Sequence, residues 1–371
     1  MTVTKGLEGI VATTTSISSI IDGVLTYRGF HIDELAEKAS YEEVVYLLWH
    51  GKLPTNEELR QLNDQFEASA SVHDDIIHNL KSIPKDANAM AVLRTAVSSL
   101  AFYDDEADDM SKEANLQKAI KLQAKIPTII AAFARIRQGK EPVKPLSGVS
   151  LAYNFLYMLT GKEPDQIAVE ALNKALVLHA DHELNASTFA SRVTVATLSD
   201  LYSGVTTAIG TLKGPLHGGA NEAVMAMLEE IDSIENVDSY INQKLENREI
   251  IMGFGHRVYK NGDPRAKHLQ KMSKELGRTT GNMKWYDMSV KIEKMVTGAK
   301  GLKPNVDFYS ASVYTALQIP RDLFTPIFAF SRVSGWTAHI LEQHENNRLI
   351  RPRAEYVGET NQSYVPIEDR E

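Results

Sequence analysis

From His31 onward the chain is one helical segment after another, each with its own start or stop signal, which leaves almost no room for a sheet. Ser40 stands three residues before Glu43 and ahead of the apolar run Val44, Val45, Leu47 and Leu48. Thr55 and Glu58 repeat that pattern before Leu59, Leu62 and Phe66. A hydroxyl followed at this spacing by a glutamate satisfies two free N–H groups of a first turn reciprocally. Pro54 separates the two helices. The same reading predicts helices at about 73–81, 87–102, 112–138, 149–159, 165–179, 187–199 and 202–211. Beyond the break at Gly214-Pro215 it predicts others at about 219–231, 237–246, 265–276, 285–296, 306–317 and 324–344, and Pro127 is expected to bend the helix that contains it. Only the first thirty residues read as β. There Thr13 to Ile21 is rich in β-branched residues, Asp22-Gly23 makes a turn and Val24 to Tyr27 returns. The expected fold is all-α with a short β region at 10–28. No repeat recurs at a fixed period, which argues against a solenoid.

A chain of 371 residues can bury a large core, in one domain or two. Its net charge of −8 argues against general nucleic-acid binding or a basic membrane face, so an anionic ligand would need locally focused cations. With Cys 0, disulfides, thiolate metal sites and cysteine nucleophiles are excluded. No apolar run approaches the ~18 residues of a membrane span. Met1-Thr2-Val3-Thr4-Lys5 lacks a signal pattern, so a cytoplasmic protein is expected. The acidic run 104–109 lacks the alternating spacing and central glycine of a calcium loop and reads as a solvated connection. The tail after Val357 is polar and acidic and is expected to fray.

Chemistry concentrates in a few loops. In residues 253–265, Gly253 and Gly255 allow close backbone approach to a ligand just before His256, and Arg257, Lys260 and Arg265 follow. Asp263-Pro264 fits a helix start, with Asp263 as N-cap, so Arg265 falls in a first turn where free N–H groups also favour an anion. The run reads as an anion site with a histidine beside it, the alternative being a glycine loop with surface cations. In Gly214-Pro215-Leu216-His217-Gly218, His217 precedes a helix start that should keep its ring neutral, able to donate to a carbonyl becoming an enolate. Lys303-Pro304-Asn305-Val306-Asp307 puts Asp307 at a helix start, as a cap or as a base. His179-Ala180-Asp181-His182-Glu183 has spacing that permits zinc, but no third ligand follows nearby and no metal site is expected. His31, His50, His73, His78, His268, His339 and His344 receive no chemistry.

These loops, in this order and at roughly these separations, resemble the active-site turns of the citrate synthase family. The likeness runs from about residue 6 to 357. Any one motif alone would be unspecific; together they are highly specific. The resemblance implies a dimer of nearly all-helical subunits. The large domain would comprise 1–212 and 318–371, with a small domain at 213–317 closing over the substrates. It implies that Asp307 removes a methyl proton from acetyl-CoA, that His217 holds the thioester oxygen and that His256 donates to the oxaloacetate carbonyl. His182, Arg265, Arg332 and Arg351 match the family's oxaloacetate-binding residues, Arg351 reaching the site from the partner subunit. Ile250, Ile251, Met252, Gly253 and Lys260 match its coenzyme A stretch.

The chemistry asks for these residue types independently. Guanidinium forks bind carboxylates bidentately, and a carboxylate base can deprotonate a thioester only if hydrogen bonds stabilise the enolate. No metal or permanently bound cofactor is expected, CoA being co-substrate and product. The chain starts almost at the first matched segment, which resembles the short Gram-positive and archaeal type, so no NADH site is expected. The near rival is 2-methylcitrate synthase, which takes propionyl-CoA. A non-catalytic helical module predicts decay of His217, His256 or Asp307, and all are present.

Overall fold

The computed structural model describes residues 4–370 apart from Glu8, Arg257 and Lys260. A small antiparallel sheet, β1 (Ser18–Ile21), β2 (Val24–Tyr27) and β3 (Phe30–His31), opens the fold. Its register pairs Ile21 with Val24 and Tyr27 with Phe30. The hairpin turn is Asp22 (φ 52) and Gly23 (φ 80), both left-handed, as a tight twisted turn requires. The β region is therefore shifted from the expected 10–28. Thr13 to Ile17 lies outside the strands, although Ile17 accepts the Arg28 N–H at 2.7 Å, and Phe30–His31 supplies a third strand too short for a sequence pattern to reveal.

The helices follow as α1 (Ile32–Lys38), α2 (Tyr41–His50), α3 (Asn56–Ser69), α4 (Asp74–Ser82), α5 (Ala89–Ser99), α6 (Lys112–Arg137), α7 (Leu151–Thr160) and α8 (Gln166–His179). Then come α9 (Ala186–Val195), α10 (Leu201–Leu212), α11 (Ala220–Ile231), α12 (Val237–Glu246), α13 (Ala266–Thr280), α14 (Lys284–Lys300), α15 (Val306–Ala316) and α16 (Phe324–Glu345). Both expected capping boxes form. Ser40 accepts from the Glu43 N–H and Thr55 from the Glu58 N–H, while each glutamate returns to the cap's own N–H. Left-handed Gly51 and Gly161 terminate α2 and α7. Helix α6 continues through Pro127. The acidic connection 104–109 is held by lysines of α6: Lys121 pairs with Asp104 at 2.7 Å, and Lys118 donates to the carbonyls of Ala107 and Asp109.

Helix α16 is the axis of the molecule. From Phe324 to Ile340 it is buried on every side, packed by α2, α6, α8, α9 and α10. A helix so enclosed must find partners for its polar groups. Tyr41 donates to the Ser331 carbonyl at 2.7 Å, and the Trp49 indole donates to Thr337 Oγ1 at 2.8 Å. Helices α11 to α15 pack on one another, chiefly α13 and α11 against α15 and α12 against α14. They meet the rest where α13 and α15 touch α8 and α11 touches α16. The catalytic candidates cluster around that junction.

Candidate active site

The loops carrying His256 and Asp307 are laced together. Phe254 bridges to Pro304. Gly255 N–H donates to the Lys303 carbonyl at 2.9 Å, Asn305 N–H to the Gly253 carbonyl at 2.9 Å, and Asn305 Nδ2 to the Gly255 carbonyl at 3.0 Å. Gly253 (φ 83) is required here for packing within the protein. A Cβ would stand 2.7 Å from Phe308 and 2.8 Å from Val224, so the close approach is to side chains of α15 and α11. Asn305 caps α15 by accepting from the Asp307 N–H at 3.0 Å, which frees the Asp307 carboxylate from the capping role. Asp307 Oδ1 is buried with no hydrogen-bond partner among the described residues. Burial raises the Asp307 carboxyl to about 7, against the pull of Arg265 and Arg332.

Asp263 differs from expectation. Helix α13 begins at Ala266, with Arg265 itself at the cap position. Asp263 still accepts the Arg265 N–H at 3.0 Å, but its carboxylate grips the Arg265 guanidinium at 2.9 and 2.8 Å and also takes the Val306 N–H at 3.0 Å. One buried carboxylate thus orients the arginine and ties it to the start of α15. The fork is better than a cap because Arg265 is only 2% exposed and a buried cation needs a counter-charge. Burial acts against the charged guanidinium, but Asp263 outweighs it and holds Arg265 above its ordinary value.

Arg332 has no such partner. It is 1% exposed on α16, donates from Nε to the His179 carbonyl at 2.6 Å, and lies 4.7 Å from the Phe328 ring centroid. No carboxylate pairs with it among the described residues, and burial brings it down to about 10. A buried guanidinium without a counter-ion is a place for an anionic ligand.

The histidines are held neutral with assignable tautomers. His256 Nδ1 accepts the backbone N–H of Val258 at 3.0 Å and of Tyr259 at 3.3 Å, so its hydrogen is on Nε2. Burial, with Arg265 second, lowers it to about 4. His217 Nε2 receives the Ser187 backbone N–H at 3.3 Å and lies 2.8 Å from Ser187 Oγ, which leaves Nδ1 as the N–H. It too falls to about 4, through burial and then the charge of Arg332. His182 Nε2 contacts the Tyr259 hydroxyl at 2.9 Å, and its ring lies 5.2 Å from that of His256. Burial and the two arginines hold it well below the ordinary range. His179 is fully buried, its Nδ1 2.8 Å from the Ala175 carbonyl. Among the described residues no group of three or more His, Cys, Asp or Glu is placed to hold a metal.

The structure therefore gathers His182, His217, His256, Arg265, Asp307 and Arg332 around the junction of α8, α15 and α16. Arg351 is not among them. It lies in an exposed segment after α16 and makes no hydrogen bond or ion pair among the described residues. Of the coenzyme A stretch, Ile250 is exposed, Ile251 buried and Met252 half-buried, while Lys260 lies outside the described residues.

The family description "Citrate synthase, C-terminal domain" matches residues 6–353. The chain belongs to the citrate synthase family. It is 63% identical to citrate synthase 2 of Bacillus subtilis (strain 168), covering 100% of both chains. It is 51% identical to a citrate synthase of Haloferax volcanii, over 99% of this chain and 98% of that one. Among solved structures it is similar to the citrate synthase of Thermoplasma acidophilum in ternary complex with carboxymethyl coenzyme A and oxaloacetate. That likeness has a TM-score of 0.93 at 36% identity over 100% of each chain. Relatives named 2-methylcitrate synthase match at lower identity, 43% for one from Corynebacterium glutamicum.

Several residues around this candidate site carry no sequence signal of their place in it. Ser187 and Asn185 sit at the start of α9, and Asn185 is its cap through the Thr188 N–H at 3.1 Å. That signal was visible, but its nearness to His217 was not. Tyr259 lies inside the glycine-histidine motif, between Arg257 and Lys260 in the sequence, with nothing there to mark its hydroxyl as the partner of His182. Trp336 and Phe328 look like ordinary core residues of an apolar helix.

Proposed function

We propose that this chain condenses acetyl-CoA with oxaloacetate and water to give citrate and CoA. The observation that carries this reading is Asp307 Oδ1, buried with no hydrogen-bond partner among the described residues, on a carboxyl raised to about 7. A general base works best when its pKa lies near the working pH. Asp307 takes a proton from the acetyl methyl group. The His217 Nδ1–H donates to the thioester oxygen as it becomes an enolate, and the new carbanion attacks the ketone carbon of oxaloacetate. There the His256 Nε2–H donates to the carbonyl oxygen as it becomes an alkoxide and is protonated. Water then cleaves the citryl thioester, releasing citrate and CoA. Neutral imidazoles are the right donors for both steps, since each presents one N–H and carries no charge that the ground-state carbonyl must desolvate.

Arg265 and Arg332 bind the oxaloacetate carboxylates, with His182 beside them and Arg351 completing the site from the second subunit of a homodimer. The exposure of Arg351 in a single chain supports this reading. Residues 213–317 act as a small domain that closes on 1–212 and 318–371. Ile250, Ile251, Met252, Gly253 and Lys260 hold coenzyme A, which is a co-substrate and not a resident cofactor. No helix among the described residues is long and apolar enough to cross a membrane, and the working compartment is the cytoplasm.

The test is thiol release with oxaloacetate and either acetyl-CoA or propionyl-CoA. One methylene is worth about 10–200-fold in a fitted apolar pocket. The reading expects kcat/KM to favour acetyl-CoA within that range. An equal or inverted ratio moves the assignment to 2-methylcitrate synthesis.

A further inference from the structure

We propose that Trp336 is a positioning residue. Its indole N–H, acting through the Ser187 hydroxyl, holds His217 in the tautomer that presents Nδ1–H to the acyl oxygen. This rests on the reading of His217 as the enolate's hydrogen-bond donor.

Phe328, Arg332 and Trp336 are spaced four residues apart on α16 and so share one face of it. Arg332 reaches the His179 carbonyl from that face, and Trp336 reaches α9. Trp336 is 0% exposed, and its Nε1 lies 3.0 Å from Ser187 Oγ. Ser187 Oγ in turn lies 2.8 Å from His217 Nε2 and 2.8 Å from Asn185 Oδ1.

Two arrangements of hydrogens satisfy these contacts. In the first, the serine hydroxyl donates to His217 Nε2, and Nδ1 carries the ring hydrogen. In the second, the hydroxyl turns to Asn185 Oδ1, and His217 donates from Nε2 to Ser187 Oγ. The second leaves Nδ1 bare, so its lone pair would meet the lone pairs of the acyl oxygen. Two fixed donors oppose it. The Ser187 backbone N–H, 3.3 Å from Nε2, would face another N–H. The indole N–H can only donate, so it always occupies a lone pair of Ser187 Oγ. That makes Oγ a poorer acceptor from His217 and a better donor to it, because hydrogen bonds in a chain polarise one another. Asn185 Oδ1 is also already engaged by the Thr188 N–H at 3.1 Å. The rigid core helix thus sets the direction of a donor chain that ends at the reacting oxygen.

Trp336→Phe keeps an aromatic ring in place and removes the N–H. A merely space-filling tryptophan predicts changes in stability alone. The relay predicts that kcat falls about tenfold, the net worth of one hydrogen bond, with the KM for oxaloacetate unchanged. It also predicts that, in protein labelled with 15N-histidine, the His217 Nε2 resonance moves toward that of a protonated ring nitrogen. The double variant Ser187→Ala, Trp336→Phe should be no slower than Ser187→Ala alone. If Trp336→Phe does not fold, the indole N–H resonance of Trp336 in Ser187→Ala protein is the measurement, and it must shift. Additive losses, an unmoved His217 resonance with full turnover, or an unmoved indole resonance would overturn the proposal. His217→Ala separates the two levels. Near-normal turnover in that variant removes His217 from the mechanism, whereas an inactive His217→Ala beside a fully active Trp336→Phe removes only Trp336.

Discussion

Replacing Asp307 by asparagine should abolish turnover and stabilise the protein, and the two effects share one cause. The amide is nearly isosteric, so packing around the start of α15 is kept while the charge is lost. In the folded chain the carboxyl is raised from 3.8 to about 7, mainly by burial. A tenfold change in proton affinity is worth about 1.4 kcal/mol, so the ionised carboxylate costs the folded state up to ~4 kcal/mol relative to a neutral group. Between the unfolded and folded pKa values the native state binds more protons than the unfolded one, so wild-type stability declines as pH rises through that window. Below about 4 the penalty is absent; above about 7 it is complete. Asp307→Asn carries no such penalty at any pH. Its advantage in Tm should therefore be small near pH 4 and grow to a few degrees by pH 8. Thermal unfolding of both proteins at several pH values measures this, and thiol release measures the expected loss of at least ~10²-fold in kcat. An advantage that is absent at pH 8, or identical at pH 4.5 and pH 8, would show that burial does not stress this carboxylate. Asp307 could then no longer be regarded as a poised base.

Asp263→Asn should be more damaging than a surface change. It strips the counter-charge from a 2%-exposed arginine and weakens the tie to Val306, so a loss of ~3–5 kcal/mol is expected, together with weaker oxaloacetate binding; denaturant unfolding and the oxaloacetate KM check it. Subunit complementation tests Arg351. Arg351→Ala and Asp307→Ala are each expected to be nearly inactive, and exchange of their subunits should restore activity, because one site of a mixed dimer then carries neither lesion. No recovery despite proven exchange means that Arg351 acts within its own chain or not at all.

How far the sequence could be read depended on the range of the interaction. Helix starts are local, so Ser40, Thr55 and Pro54 marked α2 and α3 correctly, and Val237–Glu246 has the expected bounds. The β region was harder, since Phe30–His31 is defined by its partner Thr26–Tyr27 and not by its own pattern. At the site, His217, His256, Arg265 and Asp307 were legible because reactive residue types stood in glycine- or proline-marked loops, whereas His182 and Arg332, the latter inside α16, came only from the family resemblance. The supports of these residues were not legible. Asp263 could be seen near Arg265, but capping and ion pairing both fit that spacing, and only burial decides between them. The Gly253 backbone read as room for a ligand, yet what fills that room is Phe308, from the first turn of α15 much further along the chain. Trp336 and Ser187 are joined by a hydrogen bond across 149 positions, and no local pattern reports such a bond.

On the proposed reading, the charge arrangement lets one site attract a dicarboxylate and keep its histidines neutral. Arg265 is already matched by Asp263, so among the described residues gathered here the unmatched positive charge sits on Arg332. Both guanidinium groups act on His182, Arg265 acts on His256, and Arg332 acts on His217. Burial alone would lower these imidazoles; the arginines add to it, and the result is a set of rings that hold one hydrogen each at neutral pH. Binding a dianion between the arginines removes part of that field. The histidine pKa values should then rise, and Asp307, which the same cations pull down, should rise as well. Substrate binding thus makes the ring N–H groups somewhat weaker donors and the carboxylate a stronger base. The stronger base favours taking a proton from a weak carbon acid, whereas the weaker ring donors work against it. The net gain therefore requires that His217 stay neutral and keep donating. Its starting value of about 4 lies far enough below neutral pH to absorb a substantial rise before that condition fails.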